Sequence, residues 1–327
     1  MTRGSLGRWV RVGVALFLTG LLLWRASPSA VLGVLARTDL GWIGAAILLV
    51  VVDRTLMAYR WMVLLHPIDA AARPPFTALM RLFFISTFAG TFLPASIGGD
   101  LVRAGGLTRL NVPTGPAIAS VLMDRVLGVF SLVLVTVAAL VWTGQSNLFA
   151  NAAVAIALTA AATGCAVGAV FVFSQRGADL ALGVGRRLPF ARLRALAVGS
   201  AGAIRAYDRH HGDLLNVLVG SVAVQVLRIV QAYCLGLALG LAVGPAIYFA
   251  FVPLILLVML LPISINGIGT SQVAFVWFFG LVGVPAEQAF ALSVLFVALG
   301  VVGNLPGGIL LMRRSVQGAT RGASGPG

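Results

Sequence analysis

The chain has 327 residues, 60% of them hydrophobic and only 10% charged, with a mean hydropathy of +1.03. That balance excludes a soluble domain and marks an integral membrane protein built from apolar helices. The net charge of +14 does not point to nucleic acid. Every basic residue is Arg, and most lie in short segments between apolar runs, where positive charge marks the cytoplasmic side.

In chain order, Arg3, Arg8 and Arg11 lie at the start of a short apolar run, read as a first span over residues 9–24. A cleaved secretory signal is the other reading, because Ala26-Ser27-Pro28-Ser29-Ala30 offers small residues for cleavage. An uncleaved helix gives the later charges a consistent topology. Five further spans are expected at 40–65, 116–141, 150–173, 214–239 and 287–311. Two other apolar stretches, 76–93 and 246–261, break off before they complete a span. Residues 175–213 place Phe190, Leu193, Leu196, Ile204 and Tyr207 near helical spacing among arginines, the pattern of an amphipathic segment on the cytoplasmic surface. The Gly- and Ser-rich tail over 312–327 is expected to be disordered, leaving 1–311 as a single transmembrane domain.

Both breaks carry the same phrase. Leu93-Pro94-Ala95-Ser96-Ile97-Gly98-Gly99 recurs as Leu261-Pro262-Ile263-Ser264-Ile265-Asn266-Gly267, and a Val-Pro follows each copy at Val112-Pro113 and Val284-Pro285. Pro and Gly inside an apolar segment leave backbone groups unpaired, which hydrocarbon does not tolerate unless protein or water surrounds them. Paired breaks in corresponding halves are a pointer to a transporter binding site near the bilayer midplane. Charge parity puts the start of 76–93 and the stretch holding Arg103 and Arg109 on the cytoplasmic side, so the region 76–111 reads as a re-entrant hairpin. By the same parity, 246–283 enters and returns from the outside. The expected fold is therefore all-α and polytopic, with about six full spans and two opposed re-entrant hairpins in an inverted repeat, both termini cytoplasmic.

Charged side chains at membrane depth cost roughly 2.5–3.5 kcal/mol each and so face a protein interior or a cavity. Asp53-Arg54 lies halfway along its span, Asp124-Arg125 lies on the order of 12 Å past Pro116, and Arg228 sits between Gln225 and Gln231. Asp53, Asp100 and Asp124 face Arg54, Arg60, Arg81, Arg103, Arg125 and Arg228, with Arg60 and Arg81 expected to snorkel to the interface. An arginine then remains without a fixed acid. A surplus guanidinium in a dry cavity suits a phosphate, helped by helix N-termini beyond Gly99 and Gly269. Arg125, Arg228 and Arg103 are the expected headgroup contacts, oriented by Asp124 and Asp53, with Arg54 and Asp100 beside them. Ser96, Ser264, Thr270, Ser271 and Gln272 can hydrogen-bond either a ligand or the freed backbone. Pro94, Gly98, Gly99, Pro262, Gly267 and Gly269 are read as backbone breaks. The charged chemistry is expected to gather at the first copy, because the second continues with Ile268 and Gln272 and carries no charge.

Cys165 and Cys234 fall in apolar helices and read as buried small hydrophobes. His66, His210 and His211 lack partners at ligand spacing, so no metal is expected.

With Arg60-Trp61, Leu93-Pro94, Gly98-Gly99-Asp100, Arg103, Asp124-Arg125, Leu261-Pro262 and Gly267-Ile268-Gly269, the chain resembles the transmembrane region of lysylphosphatidylglycerol synthase and related flippase-like inner-membrane proteins. The resemblance runs from about Leu40 to Leu311. It implies translocation of a phospholipid or a polyprenyl-linked lipid across a bacterial cytoplasmic membrane. Gln272 stands where the family often has Glu, and the synthase's soluble aminoacyl-transfer domain is not part of the sequence.

The leading expectation is thus a flippase or transporter of a phosphate-bearing lipid, not an enzyme, with an anionic lipid as its partner and no cofactor. A chain without Lys has no Gly-x-x-x-x-Gly-Lys loop, so movement would be downhill or coupled to an ion through Asp53 or Asp124. Two alternatives stay open. One is a polyprenyl-phosphate-dependent glycosyltransferase, with Asp39 as its main outward acid; the other is an accessory subunit of a lipid-synthesis complex.

Overall fold

The computed structural model describes residues 28–68, 73–92, 97–144, 206–260 and 268–323, with 155, 159 and 163. Helices α1 (Pro28–Ala36), α2 (Leu40–Val63), α3 (Phe76–Phe92), α4 (Ile97–Arg109) and α5 (Thr114–Trp142) come first. A 3₁₀ turn (Ala206–Arg209) then leads into α6 (His211–Ala238), α7 (Pro245–Leu260), α8 (Thr270–Gly280) and α9 (Ala286–Ala323). No strand occurs among the described residues. The spans expected at 9–24 and 150–173, apart from those three residues, lie outside them, as does the surface segment up to residue 205.

Helix starts follow from local chemistry. Pro28 and Pro245 open α1 and α7, where a missing N–H costs nothing. Asp39 caps α2, its Oδ1 accepting from the Gly41 N–H at 2.7 Å. The outward acid considered for catalysis is therefore the N-cap of α2.

Among the described residues, four helices are long and apolar enough to cross a membrane: α2, α5, α6 and α9, the last through Met312, at 24, 29, 28 and 27 residues. At 1.5 Å per residue each reaches about 36 Å or more, against a hydrocarbon core of about 30 Å. Their outer faces expose Leu48, Val51 and Val52, then Leu134 and Val137, Leu215 and Val219, and Val302, Leu305 and Ile309. Apolar surface this continuous fits contact with lipid, not water. Four such spans stand where six were expected, the other two falling outside the described residues. Helix α9 is described through Ala323, beyond the end of its apolar span at Met312. Once a helix is nucleated, each added residue gains a hydrogen bond for one residue fixed, so the span propagates past its apolar end.

The shorter helices form two antiparallel pairs. In the first, Gly90 of α3 meets Gly99 of α4 near the connection, while Leu82 packs on Gly106 further down. A Cβ on Gly99 would lie 2.8 Å from the Ser86 carbonyl oxygen, so only glycine allows this approach. In the second pair, Tyr248 of α7 meets Phe279 of α8 edge-on at 5.1 Å, and Phe251 packs tilted against Phe278 at 5.4 Å. The two pairs have their bases at opposite ends of α2. Leu79 and Leu107 share a core cluster with Trp61 and Leu65 at its C-terminal end. Tyr248 packs on Gly236, close to where the Asp39 N–H donates to the Ala238 carbonyl at 2.9 Å beside the α2 N-terminus. The connections at 93–96 and 261–267, with Pro94, Ser96, Pro262, Ser264 and Gly267, lie outside the described residues.

Helix α9 closes the bundle by lying antiparallel to α3, with Thr91 beside Asn304 and Phe84 and Phe88 against Gly307 and Gly308. A Cβ at Gly307 would collide with the Phe84 carbonyl, a backbone atom that cannot swing aside. Gly307→Ala should therefore destabilise the chain by about 1–3 kcal/mol in reversible unfolding in detergent. Gly280→Ala, which meets nothing within 4 Å, should stay within about 0.5 kcal/mol.

Candidate functional site

Three ionisable residues on α2, Asp53, Arg54 and Arg60, lie with Met57 on one inward stripe. They face a cavity of about 390 Å³. Its wall is completed by Ser86, Thr87, Gly90 and Thr91 of α3, and by Gly99, Asp100 and Arg103 of α4. Asp124, Arg125 and Gly128 of α5, Gln225, Arg228 and Gln231 of α6, and Gly300 and Asn304 of α9 fill the remaining sides. The second helix pair contributes only the apolar Leu256, Met259 and Leu260 of α7 among the described residues. Charge therefore gathers on the side of the first pair.

Three carboxylates organise the arginines. Asp124, 7% exposed, is shared: its Oδ1 accepts from Arg60 Nε at 3.0 Å and Nη2 at 2.5 Å, and its Oδ2 from Arg103 Nη1 at 3.1 Å. Arg60 also donates to Ser221 Oγ at 2.9 Å, joining α2 and α5 to α6. Arg103 lies over the Trp61 and Phe83 rings at 5.1 and 4.9 Å, so its flat cation is held by aromatic faces as well. The expectation that Arg60 snorkels to the interface is corrected: it is 5% exposed and held by a buried carboxylate. Arg81 is exposed. Asp100 takes Arg125 in a bidentate grip, accepting from Nε at 2.8 Å and Nη2 at 3.0 Å, with the Arg125 side chain 44% exposed.

The third carboxylate is less satisfied. Asp53 Oδ2 accepts from Arg54 Nη1 at 3.2 Å, and Arg228 Nε lies 3.7 Å from Oδ1. Arg54 also donates to the Gly300 carbonyl at 3.3 Å, which ties α2 to α9. Asp53 Oδ1, Arg54 Nε, Gln225 Oε1, Gln231 Nε2 and Asn304 Oδ1 are all buried without a hydrogen-bond partner. Buried polar groups in proteins are paired as a rule, so orphans gathered around one cavity point to something that fills it.

Of the residues singled out in the sequence, Asp53, Arg54, Asp100, Arg103, Asp124, Arg125, Arg228 and Gly99 line the cavity. Gln272 does not. It is buried, and its Oε1 accepts from the Gly269 N–H at 2.6 Å and the Ser271 hydroxyl at 3.0 Å, so it caps α8. Gly269 takes φ +88°, a left-handed conformation suited to glycine, which lets the chain turn into that cap. Asn304 was missed; the signal for it was a lone amide in an apolar span, at Gly303-Asn304-Leu305-Pro306. At the C-terminal end of α2, the Tyr207 hydroxyl donates to the Leu64 carbonyl at 2.5 Å, and burial pushes its phenol pKa up.

The shared carboxylate yields a stability prediction. Asp124→Asn leaves two buried guanidiniums uncompensated and should destabilise the chain by about 3–5 kcal/mol. Arg125→Gln breaks a half-exposed pair and should cost no more than about 1 kcal/mol. Unfolding in detergent, followed for the two variants side by side, checks the difference.

No solved structure matches the chain. Glycosyltransferase AglD of Haloferax volcanii is 27% identical over 94% of this chain, and the chain spans 55% of that relative's length. This similarity corrects the expectation of a transporter that is not an enzyme: a chain alike over nearly its whole length to a named glycosyltransferase cannot be set apart from enzymes. The description of the lysylphosphatidylglycerol synthase TM region matches residues 8–307. With that match over most of its length, the chain belongs to the lysylphosphatidylglycerol synthase transmembrane-region family.

Proposed function

We propose that the chain binds the phosphate-bearing headgroup of a lipid in the arginine-lined cavity and carries it between membrane leaflets. The lipid is a phospholipid or a polyprenyl-linked lipid, and the setting is a bacterial cytoplasmic membrane with both termini on the cytoplasmic side. One observation carries the reading: five guanidiniums and a row of unpartnered amide atoms line a single cavity at membrane depth. Arginine grips phosphate oxygens in a planar, two-point fashion, and unpaired amides hydrogen-bond the rest of a polar headgroup.

In this reading α3–α4 and α7–α8 are re-entrant hairpins that come in from opposite faces, within a single membrane domain over residues 1–311. At 17 and 16 residues, α3 and α7 are about 25 Å long and fall short of the hydrocarbon thickness. Tilting one hairpin against the other would open the cavity to one leaflet at a time. Arg228, Arg54 and Arg103 contact the headgroup, and Arg125 does so from the half-exposed side of the cavity.

A second reading, glycosyl transfer from or to a polyprenyl phosphate, is favoured by the similarity to glycosyltransferase AglD. Both readings begin with the same bound phosphate and part at what happens next. Purified protein in vesicles should move a labelled phosphate-bearing lipid faster than protein-free vesicles do, and Arg228→Gln should slow the movement at least about tenfold, a loss near 1.4 kcal/mol. Movement no faster than in empty vesicles, with sugar transfer to or from a polyprenyl phosphate in the same preparation, would favour the second reading.

A further inference from the structure

We infer that the cavity selects a dianionic headgroup, the phosphomonoester or diphosphate of a lipid, over a singly charged phosphodiester. The inference rests on the lipid-binding role proposed above and names the class of lipid. Three carboxylates and five guanidiniums line the cavity, a surplus of two positive charges. In a low-dielectric interior each uncompensated charge is costly, so a ligand carrying two negative charges balances the site and a monoanion leaves it one short.

The two surplus charges face one cavity, one where Arg54 and Arg228 share Asp53 and one where Arg60 and Arg103 share Asp124, and the unpartnered atoms place the phosphate at the Asp53 end. Asp100 and Arg125 are matched one to one, and Arg60 and Arg103 are both held on Asp124 by hydrogen bonds. Around Asp53 the fit is loose. Two arginines share a carboxylate that is 1% exposed, Arg228 approaches it only to 3.7 Å, and Arg54 Nε has no acceptor. Gln231, 4% exposed, leaves its Nε2 donor unpaired in the same cavity. A terminal phosphate offers three oxygens to the two guanidiniums and the Gln231 amide, whereas a phosphodiester offers two and a wider girth.

The full chain in detergent should be titrated with short-chain phosphatidic acid, phosphatidylglycerol, a polyprenyl phosphate and inorganic phosphate, with binding read by native mass spectrometry. At about pH 8 the monoester is a dianion, because its second pKa lies near 6. Phosphatidic acid and the polyprenyl phosphate should then bind at least about tenfold more tightly than phosphatidylglycerol. At about pH 5 the monoesters carry one charge and the preference should shrink towards unity. Asp53→Asn should widen the preference and Arg228→Gln should narrow it. The pH comparison uses the unaltered chain, so it decides even where a variant fails to fold. Equal binding of phosphatidic acid and phosphatidylglycerol at the higher pH overturns the charge match and leaves the lipid-headgroup role standing. Binding of none of the lipids overturns both, and inorganic phosphate binding as tightly as the lipids assigns the site to free phosphate.

Discussion

One carboxylate holds this bundle together at depth. Asp124 of α5 accepts from Arg60 of α2 and Arg103 of α4, and Arg60 passes the connection on to Ser221 of α6. Without water, a buried guanidinium is tolerable only when its donors are met, so four helices are committed to one arrangement by the demand of two cations for a partner. The aromatic faces of Trp61 and Phe83 complete the enclosure of Arg103.

That constraint also explains why a cavity exists. The α3–α4 pair is pinned to α5 through Arg103 and Arg125, and to α9 by the close contacts of Gly307 and Gly308. The α7–α8 pair is instead held by an aromatic stack of Tyr248, Phe251, Phe275, Phe278 and Phe279. One pair is set by charge and the other by apolar packing, so the space between them is polar on one side and greasy on the other. A lipid has the same two-sidedness, with a charged head and apolar tails.

The family match and the similarity to a glycosyltransferase both run over most of the chain. Fold alone does not decide between moving a lipid and reacting it, because the proposed phosphate-binding wall would serve both. Within the described residues Asp39, the acid weighed for catalysis, is engaged in capping α2.

Much of this was legible in the sequence because hydrocarbon imposes simple rules. Apolar length predicted α2, α5, α6 and the apolar part of α9 to within a few residues, and the depth of Asp53, Asp124 and Arg228 along their helices marked them as inward-facing. Pairing was not legible. Arg60 lies near a helix end and read as an interfacial residue, yet it turns inward because Asp124, 64 residues away, waits there. Gln272 read as a partner for either a ligand or the freed backbone, and it takes the second part as the cap of its own helix. The sequence alone determined membrane residence, the long spans and the presence of intramembrane charge, since these depend on local composition. Which arginine meets which carboxylate, and where a polar atom is left without a partner, only the tertiary structure decided, because those contacts join residues far apart in the chain.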